Sequence, residues 1–253
     1  VETPRKNVVV NYTYFLKNKE HFSDLQKYLF QYSYIKCKQF GYIIHIHCNN
    51  LFQEVCEELG IIPDNFIPLE EDGDIDSKVF WAYHKIKVYD KCSVGEWHLD
   101  VDAVFKKDLI GEYDEYADVI AAYFDKPNQE FNSISLPTDY ILPEFCKPEL
   151  LGLNMSTVCF NSESLKNLYC KESIKFMRHN TPLFDNGWTH MVYAEQSFIK
   201  QICEHYNYSY KFISTQLDYF HLGAAKKLMS QEDKKEMINK LKNKIWQLKV
   251  LTI

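Results

Sequence analysis

Two aspartates one residue apart, in Trp97-His98-Leu99-Asp100-Val101-Asp102-Ala103-Val104-Phe105, are the residues best placed to do chemistry in this chain. In extended backbone, positions i and i+2 project to the same side, so both carboxylates can approach one cation. A hard divalent ion such as Mg²⁺ or Mn²⁺ takes oxygen ligands and readily bridges the oxygens of a diphosphate. Held there, it stabilises a departing phosphate as a Lewis acid. Spacing alone is weak, because acidic pairs also occur on solvated loops. The flanks say more. Leu99, Val101, Val104 and Phe105 surround the pair, and carboxylates among hydrophobes need a compensating partner, of which a cation is the simplest.

The elements that must position this pair alternate. Val8 to Tyr12 reads as a buried first strand, Asp24 to Phe40 as an amphipathic helix, and Tyr42 to Ile46 as a second strand. A helix from Leu51 to Leu59 stops at Gly60, and Phe66 to Leu69 is a short third strand. An acidic loop and a helix from Lys78 to Tyr89 lead to the strand that runs into Asp100. Three strand–helix units before the carboxylates predict an α/β fold with a mostly parallel central sheet flanked by helices. Ligands in such sheets bind beyond the carboxyl ends of the strands, where Asp100 and Asp102 fall. Further on, strands are expected at Val119 to Phe124 and Leu153 to Phe160, and an extended segment from Lys211 to His221. Helices are expected at Ser162 to Met177, Tyr193 to His205 and Gln231 to Leu248. No repeat or linker interrupts the chain, so one domain over residues 1–253 is predicted, with 228–253 a basic amphipathic C-terminal helix.

Composition narrows the class. The 253 residues are 46% hydrophobic and 25% charged, enough for a sizeable core, and the formal charge of −6 argues against a nucleic-acid partner. Eight lysines from Lys226 onward face only Glu232, Asp233 and Glu236. The last helix is therefore a candidate for peripheral contact with an anionic membrane, with simple packing onto the domain as the competing reading. No apolar run reaches the roughly 18 residues needed to span a bilayer, and the charged start at Val1 does not read as a secretory signal. The start lacks a methionine, so removal of preceding residues stays open. The eight cysteines form no CxxC pair, which predicts buried free thiols in a cytoplasmic, reducing setting.

The segment Trp97 to Phe105 resembles the DxD segment of GT-A-fold glycosyltransferases. Gly152-Leu153-Asn154-Met155-Ser156-Thr157-Val158 looks like that family's strand beside the acceptor pocket. Ala194-Glu195-Gln196-Ser197 resembles its acidic-Gln motif at the reaction centre. His221-Leu222-Gly223-Ala224-Ala225-Lys226 is similar to the HxxGxxK signature of the family 8 retaining enzymes, the glycogenin- and galactosyltransferase-like group. Here one residue fewer separates His from Gly, and no Pro-Trp follows Lys226, which points to a divergent relative such as a bacterial GT-A-like family.

The resemblance implies a hexosyltransferase-like enzyme. It would move a sugar from a nucleotide-sugar, a UDP-sugar first among them, to a saccharide, lipid or protein acceptor, with retention of configuration. Asp100, Asp102 and His221 would hold Mn²⁺ (or Mg²⁺), while Gly223 and Lys226 cradle the donor diphosphate. Glu195 or Gln196 would face the anomeric carbon, and Asn154 would shape the sugar or acceptor pocket. Lys85 is a candidate donor contact, and Tyr12, with Tyr14, a candidate nucleobase contact. The competing readings are structural: His221 as a core histidine, Glu195 and Gln196 as a helix's polar face, Lys85 as a solvated lysine, Tyr12 and Tyr14 as packing. Two other functions fit the residues. Asp100-Val101-Asp102-Ala103-Val104 formally satisfies the nucleophile motif of haloacid-dehalogenase-like phosphatases, although three strand–helix units precede it and no GDxxxD or Asp-Asp pair follows. A catalytically inactive nucleotide-sugar-binding domain is the other.

Overall fold

A computed structural model describes residues 7–71, 73–75, 80–108, 110, 117–125, 143–147, 152–179, 187–213, 219–223 and 228–250. Seven strands belong to a mostly parallel sheet flanked by helices, the α/β architecture expected. Contacts divide the chain into two compact units. One comprises Val1–Leu69, His98–Tyr113 and Thr215–Ile253; the other comprises Glu70–Trp97 and Asp114–Ser214.

In the first unit, β1 (Val9–Tyr14), β2 (Ile43–Cys48) and β3 (Asn65–Pro68) pair in parallel, with Val9 opposite Ile43 and His45 opposite Asn65. Parallel neighbours need a crossover, and α1 (Asp24–Gln39) and α2 (Asn50–Glu58) supply it. Ser23 and Gln26 form a reciprocal capping box at the start of α1, and the Asn49 side chain caps α2. Val10, Ile44 and Ile46 are fully buried, and the polar Asn11 and His47 next to Val10 and Ile46 are buried with their side chains 2.9 Å apart. Tyr14, Phe22, Phe30 and Phe52 pack ring against ring beside them, with Tyr14 stacked on Phe52 at 4.7 Å between centroids. β4 (Trp97–Leu99) ends just before Asp100.

Two short strands went unnoticed in the sequence as a pair. β5 (Ala103–Phe105) and β11 (Tyr219–His221) run antiparallel, with His221 opposite Ala103. The last helix, α7 (Gln231–Val250), buries Leu241 and Ile245 against Leu25 and Leu29 of α1 and against Leu222. Packing thus accounts for its apolar face, while Trp246 lies exposed on the other side.

The second unit is built on α3 (Tyr83–Lys91), β6 (Val119–Ala121), β7 (Phe124–Asp125), β8 (Gly152–Leu153), β9 (Thr157–Phe160) and α4 (Glu163–His179). It continues through α5 (Gly187–Val192), α6 (Phe198–Tyr206) and β10 (Tyr210–Phe212). β6 pairs in parallel with β10 and antiparallel with β9. Phe160, Tyr169, Phe176, Tyr193 and Phe198 form its aromatic core. Two expected strands are broken here. The strand from Leu153 to Phe160 is interrupted because the Asn154 side chain accepts from the Ser156 amide at 3.1 Å, an Asx turn that competes with the ladder. The strand from Val119 to Phe124 splits into β6 and β7; of the extended stretch from Lys211 to His221, the start closes β10 and Tyr219–His221 is β11, while 214–218 lie outside the described residues. The helix before the carboxylates starts later than expected, at Tyr83, with Trp81 and Ala82 in a turn before it.

All eight cysteines are free thiols. Burial pushes Cys37, Cys48, Cys92, Cys146, Cys159 and Cys203 from the ordinary thiol value of 9.0 up to about 12, so they stay protonated and unreactive at neutral pH. The unfolded chain ionises these thiols near the ordinary value while the native chain keeps its protons. The contribution of these thiols to stability is therefore level below pH about 9 and declines as pH rises from there toward about 12. Melting temperature against pH is expected to be flat from pH 7 to 8.5 and to fall above it. Native labelling by a thiol reagent should be slow at pH 7 and complete only in denaturant.

Candidate active site

The carboxylates sit where β4 gives way to β5. The Ala103 amide donates to the Asp100 carbonyl at 2.9 Å, closing a tight turn that presents Asp100 and the buried Asp102 together. The antiparallel pairing of β5 with β11 then brings His221 across from Ala103, one residue past Asp102. His221 Nε2 lies 3.3 Å from Asp102 Oδ1 and 3.9 Å from Asp100 Oδ2. Among the described residues, one ligand atom from each of the three lies within 4.8 Å of the others. These separations exceed a normal hydrogen bond, yet they suit donors arranged around an ion roughly 2 Å from each. Two carboxylates and an imidazole suit a transition-metal ion such as Mn²⁺ better than Mg²⁺, which favours oxygen ligands alone.

Gly223 makes room for the histidine. Its φ is +46°, in the left-handed region that favours glycine, and a Cβ there would lie 3.0 Å from His221 Cε1. The absence of a side chain at Gly223 thus leaves space for the His221 ring. Lys226 lies outside the described residues.

Tyr12 corrects its expected role. It is fully buried, and its hydroxyl lies 2.8 Å from Ser33 Oγ, which donates to the Ala103 carbonyl at 2.6 Å. Burial raises the Tyr12 phenol well above its ordinary value, so it remains a neutral hydroxyl. Rather than presenting a ring to a nucleobase, Tyr12 and Ser33 anchor the strand that follows Asp102. Tyr14 is spent likewise on the Phe22–Phe52 cluster, and burial, with the nearby Asp102 carboxylate as a smaller cause, raises its phenol.

In the second unit, Lys85 is neither solvated nor on an open face. Buried on α3, it forms an ion pair with Glu195 and donates to the Met155 carbonyl at 3.2 Å. Asn154 is buried beside this carbonyl in its Asx turn, with Oδ1 also accepting from Ser156 Oγ at 2.5 Å. Glu195 and Gln196 do not open a regular helix as expected. They lie in a one-turn π-helix, Tyr193–Ser197, inserted between α5 and α6. Such turns are frequent at functional sites. Glu195 is buried and Gln196 half-buried. Sequence reading missed the hydroxyls that support this turn, Tyr169 and Ser173, although their i,i+4 spacing inside an apolar helix face was a signal.

No protein-family model matches the chain, and no curated protein matches it significantly in sequence. Solved structures do match. The galactosyltransferase LgtC, in complex with donor and acceptor sugar analogues, aligns with a TM-score of 0.53 at 9% identity, covering 92% of this chain and 96% of that one. The glycosyltransferase GlyE of Streptococcus pneumoniae TIGR4 aligns at a TM-score of 0.42 and 12% identity, covering 82% of this chain and 45% of that one. A 4-diphosphocytidyl-2C-methyl-D-erythritol synthase from Anaerococcus prevotii aligns at 0.48 and 8% identity, over 94% and 99% of the two chains. The first of these carries the conclusion on architecture: this chain shares the GT-A fold of that galactosyltransferase.

Proposed function

We propose that this chain is a metal-dependent, hexosyltransferase-like glycosyltransferase in which residues 1–253 serve as a single catalytic domain. The observation that carries the proposal is the convergence of Asp100, Asp102 and His221 on a GT-A fold. These three would hold Mn²⁺ or Mg²⁺, which, when bound, supplies Lewis-acid stabilisation of the charge that develops on a diphosphate leaving group.

The donor is a nucleotide-sugar, with UDP-sugars first to be tried. In the transfer, the bond between the anomeric carbon and the diphosphate oxygen breaks. A bond forms to an acceptor hydroxyl, whose proton leaves with the diphosphate or to solvent. Lys226 and the Gly223 backbone are assigned to the diphosphate by the motif resemblance, and the retaining outcome by the likeness to family 8. Asn154, with its Asx turn, and Lys85, through Glu195, are assigned to shaping the sugar side.

Of the two candidates at the reaction centre, Glu195 is committed to Lys85. Gln196, by contrast, is half-buried at the next position of the same turn. Gln196 is therefore assigned the donor-sugar contact and Glu195 its support. The acceptor is a saccharide, lipid or protein. Among the described residues no helix is long and apolar enough to cross a membrane, and the lysine-bearing face of α7 is the proposed side for peripheral membrane contact.

Thermal unfolding provides the test. Mn²⁺ together with a UDP-sugar is expected to raise the melting temperature above the rise from Mn²⁺ alone. Equal melting temperatures across UDP-, GDP- and CDP-sugars, with and without Mn²⁺, would count against donor binding.

A further inference from the structure

We propose that the π-turn Tyr193–Ser197 is a positioning device, in which the hydroxyls of Tyr169 and Ser173, together with Gly152, fix the backbone from which Gln196 reaches the donor sugar. This rests on the donor-side role assigned to Gln196 above.

A π-turn carries one residue more than the α-helix around it and pulls carbonyls out of the regular ladder. Here the Phe198 amide reaches back to the Tyr193 carbonyl. The next two carbonyls are taken up from outside the helix: Ser173 Oγ donates to Ala194 O at 2.8 Å, and the Tyr169 hydroxyl donates to Glu195 O at 2.8 Å. Both donors are fully buried and stand four residues apart on α4, so one helix face grips two consecutive peptide units.

From another side, β8 presses on the same turn. A Cβ on Gly152 would lie 2.6 Å from Gln196 Cβ and 2.8 Å from its carbonyl carbon, so only glycine permits this approach. Lys85 adds a tether, because it joins the Glu195 carboxylate to the Met155 carbonyl. The outcome is a half-buried Gln196 on a clamped backbone. Preorganised contacts to a reacting sugar need that combination, since small misplacements far from the chemistry are costly. If the hydroxyls served only to satisfy stray carbonyls, their loss would lower stability and leave turnover of the folded protein alone.

The test is a mutant cycle. Tyr169→Phe, Ser173→Ala and their combination are made in the wild-type chain and in Gln196→Ala. Nucleoside diphosphate release is followed with Mn²⁺, using whichever of UDP-galactose, UDP-glucose, UDP-N-acetylglucosamine and GDP-mannose turns over fastest, well below the melting temperature of each variant. Each hydroxyl variant is expected to lower kcat about five- to tenfold with donor KM within about twofold. Neither should lower it further once Gln196 is alanine. Unchanged kcat in both variants, or losses that simply multiply with that of Gln196→Ala, would overturn the positioning role. A wild-type chain that releases diphosphate from none of the four overturns the transferase reading and the positioning role with it.

Discussion

Replacing Asp102 with Asn is expected to lower turnover of a nucleotide-sugar by at least about a hundredfold, the scale of removing one preorganised electrostatic contact from a developing charge. The substitution keeps the volume and leaves the turn between β4 and β5 to the Ala103 amide and the Asp100 carbonyl, so the fold should survive. The melting temperature without metal should therefore change little, while the extra stabilisation by Mn²⁺ disappears. His221→Ala should act in the same direction, because it removes the third convergent ligand atom. Steady-state kinetics combined with melting curves in Mn²⁺ and in chelator check both. Full activity in Asp102→Asn would mean that the carboxylate is not a ligand at all.

The second large effect concerns stability. Lys85 and Glu195 form an ion pair whose side chains are only 9% and 8% exposed. Removing one member leaves the other charge buried without its partner, which costs about 3–5 kcal/mol. Lys85→Met or Glu195→Met alone should thus lower the melting temperature by about 10 °C in a chain of this size. The double variant should recover most of that loss, since two apolar side chains replace two charges that water no longer solvates. Urea or thermal unfolding measures this independently of activity, which all three variants are expected to lose. If the double variant falls as far as the sum of the singles, the pair is not the energetic unit that its geometry suggests.

Much of the scaffold could be read from the chain, and the reasons are local. The parallel strands β1 and β2 are rich in Val, Ile and Tyr and are separated by a capped amphipathic helix, and the signals for all three lie within a few residues. The Asp100–Asp102 pair was legible because strand geometry fixes what i and i+2 can do. His221 was singled out by likeness to a motif, and the register that delivers it was not foreseen. The three residues of β5 are too short for periodicity, and their partner strand lies more than a hundred residues away.

Tyr12 was misjudged for a related reason. A tyrosine near the end of a parallel strand can point to the ligand edge or into the helix layer, and only the position of Ser33 on α1 decides it. Lys85 shows the same limit from the other side. Nothing within its own helix reveals that Glu195 waits for it, so a solvated lysine was a fair expectation. The strand break at Asn154 had a readable cause, the Asn-x-Ser spacing that favours an Asx turn. The π-turn had none, since no local sequence signal separates it from an α-helix over Tyr193 to Ser197.

The central claim is that the three-ligand cluster supports transfer from a nucleotide-sugar. Nucleoside diphosphate release from a panel of UDP-, GDP- and CDP-sugars, in Mn²⁺ and in excess chelator, tests it most directly. The expected result is release from at least one donor that requires the metal and is restored by adding it back. Binding without release under any condition, or metal-dependent hydrolysis of para-nitrophenyl phosphate that requires Asp100 while every nucleotide-sugar stays intact, would contradict it.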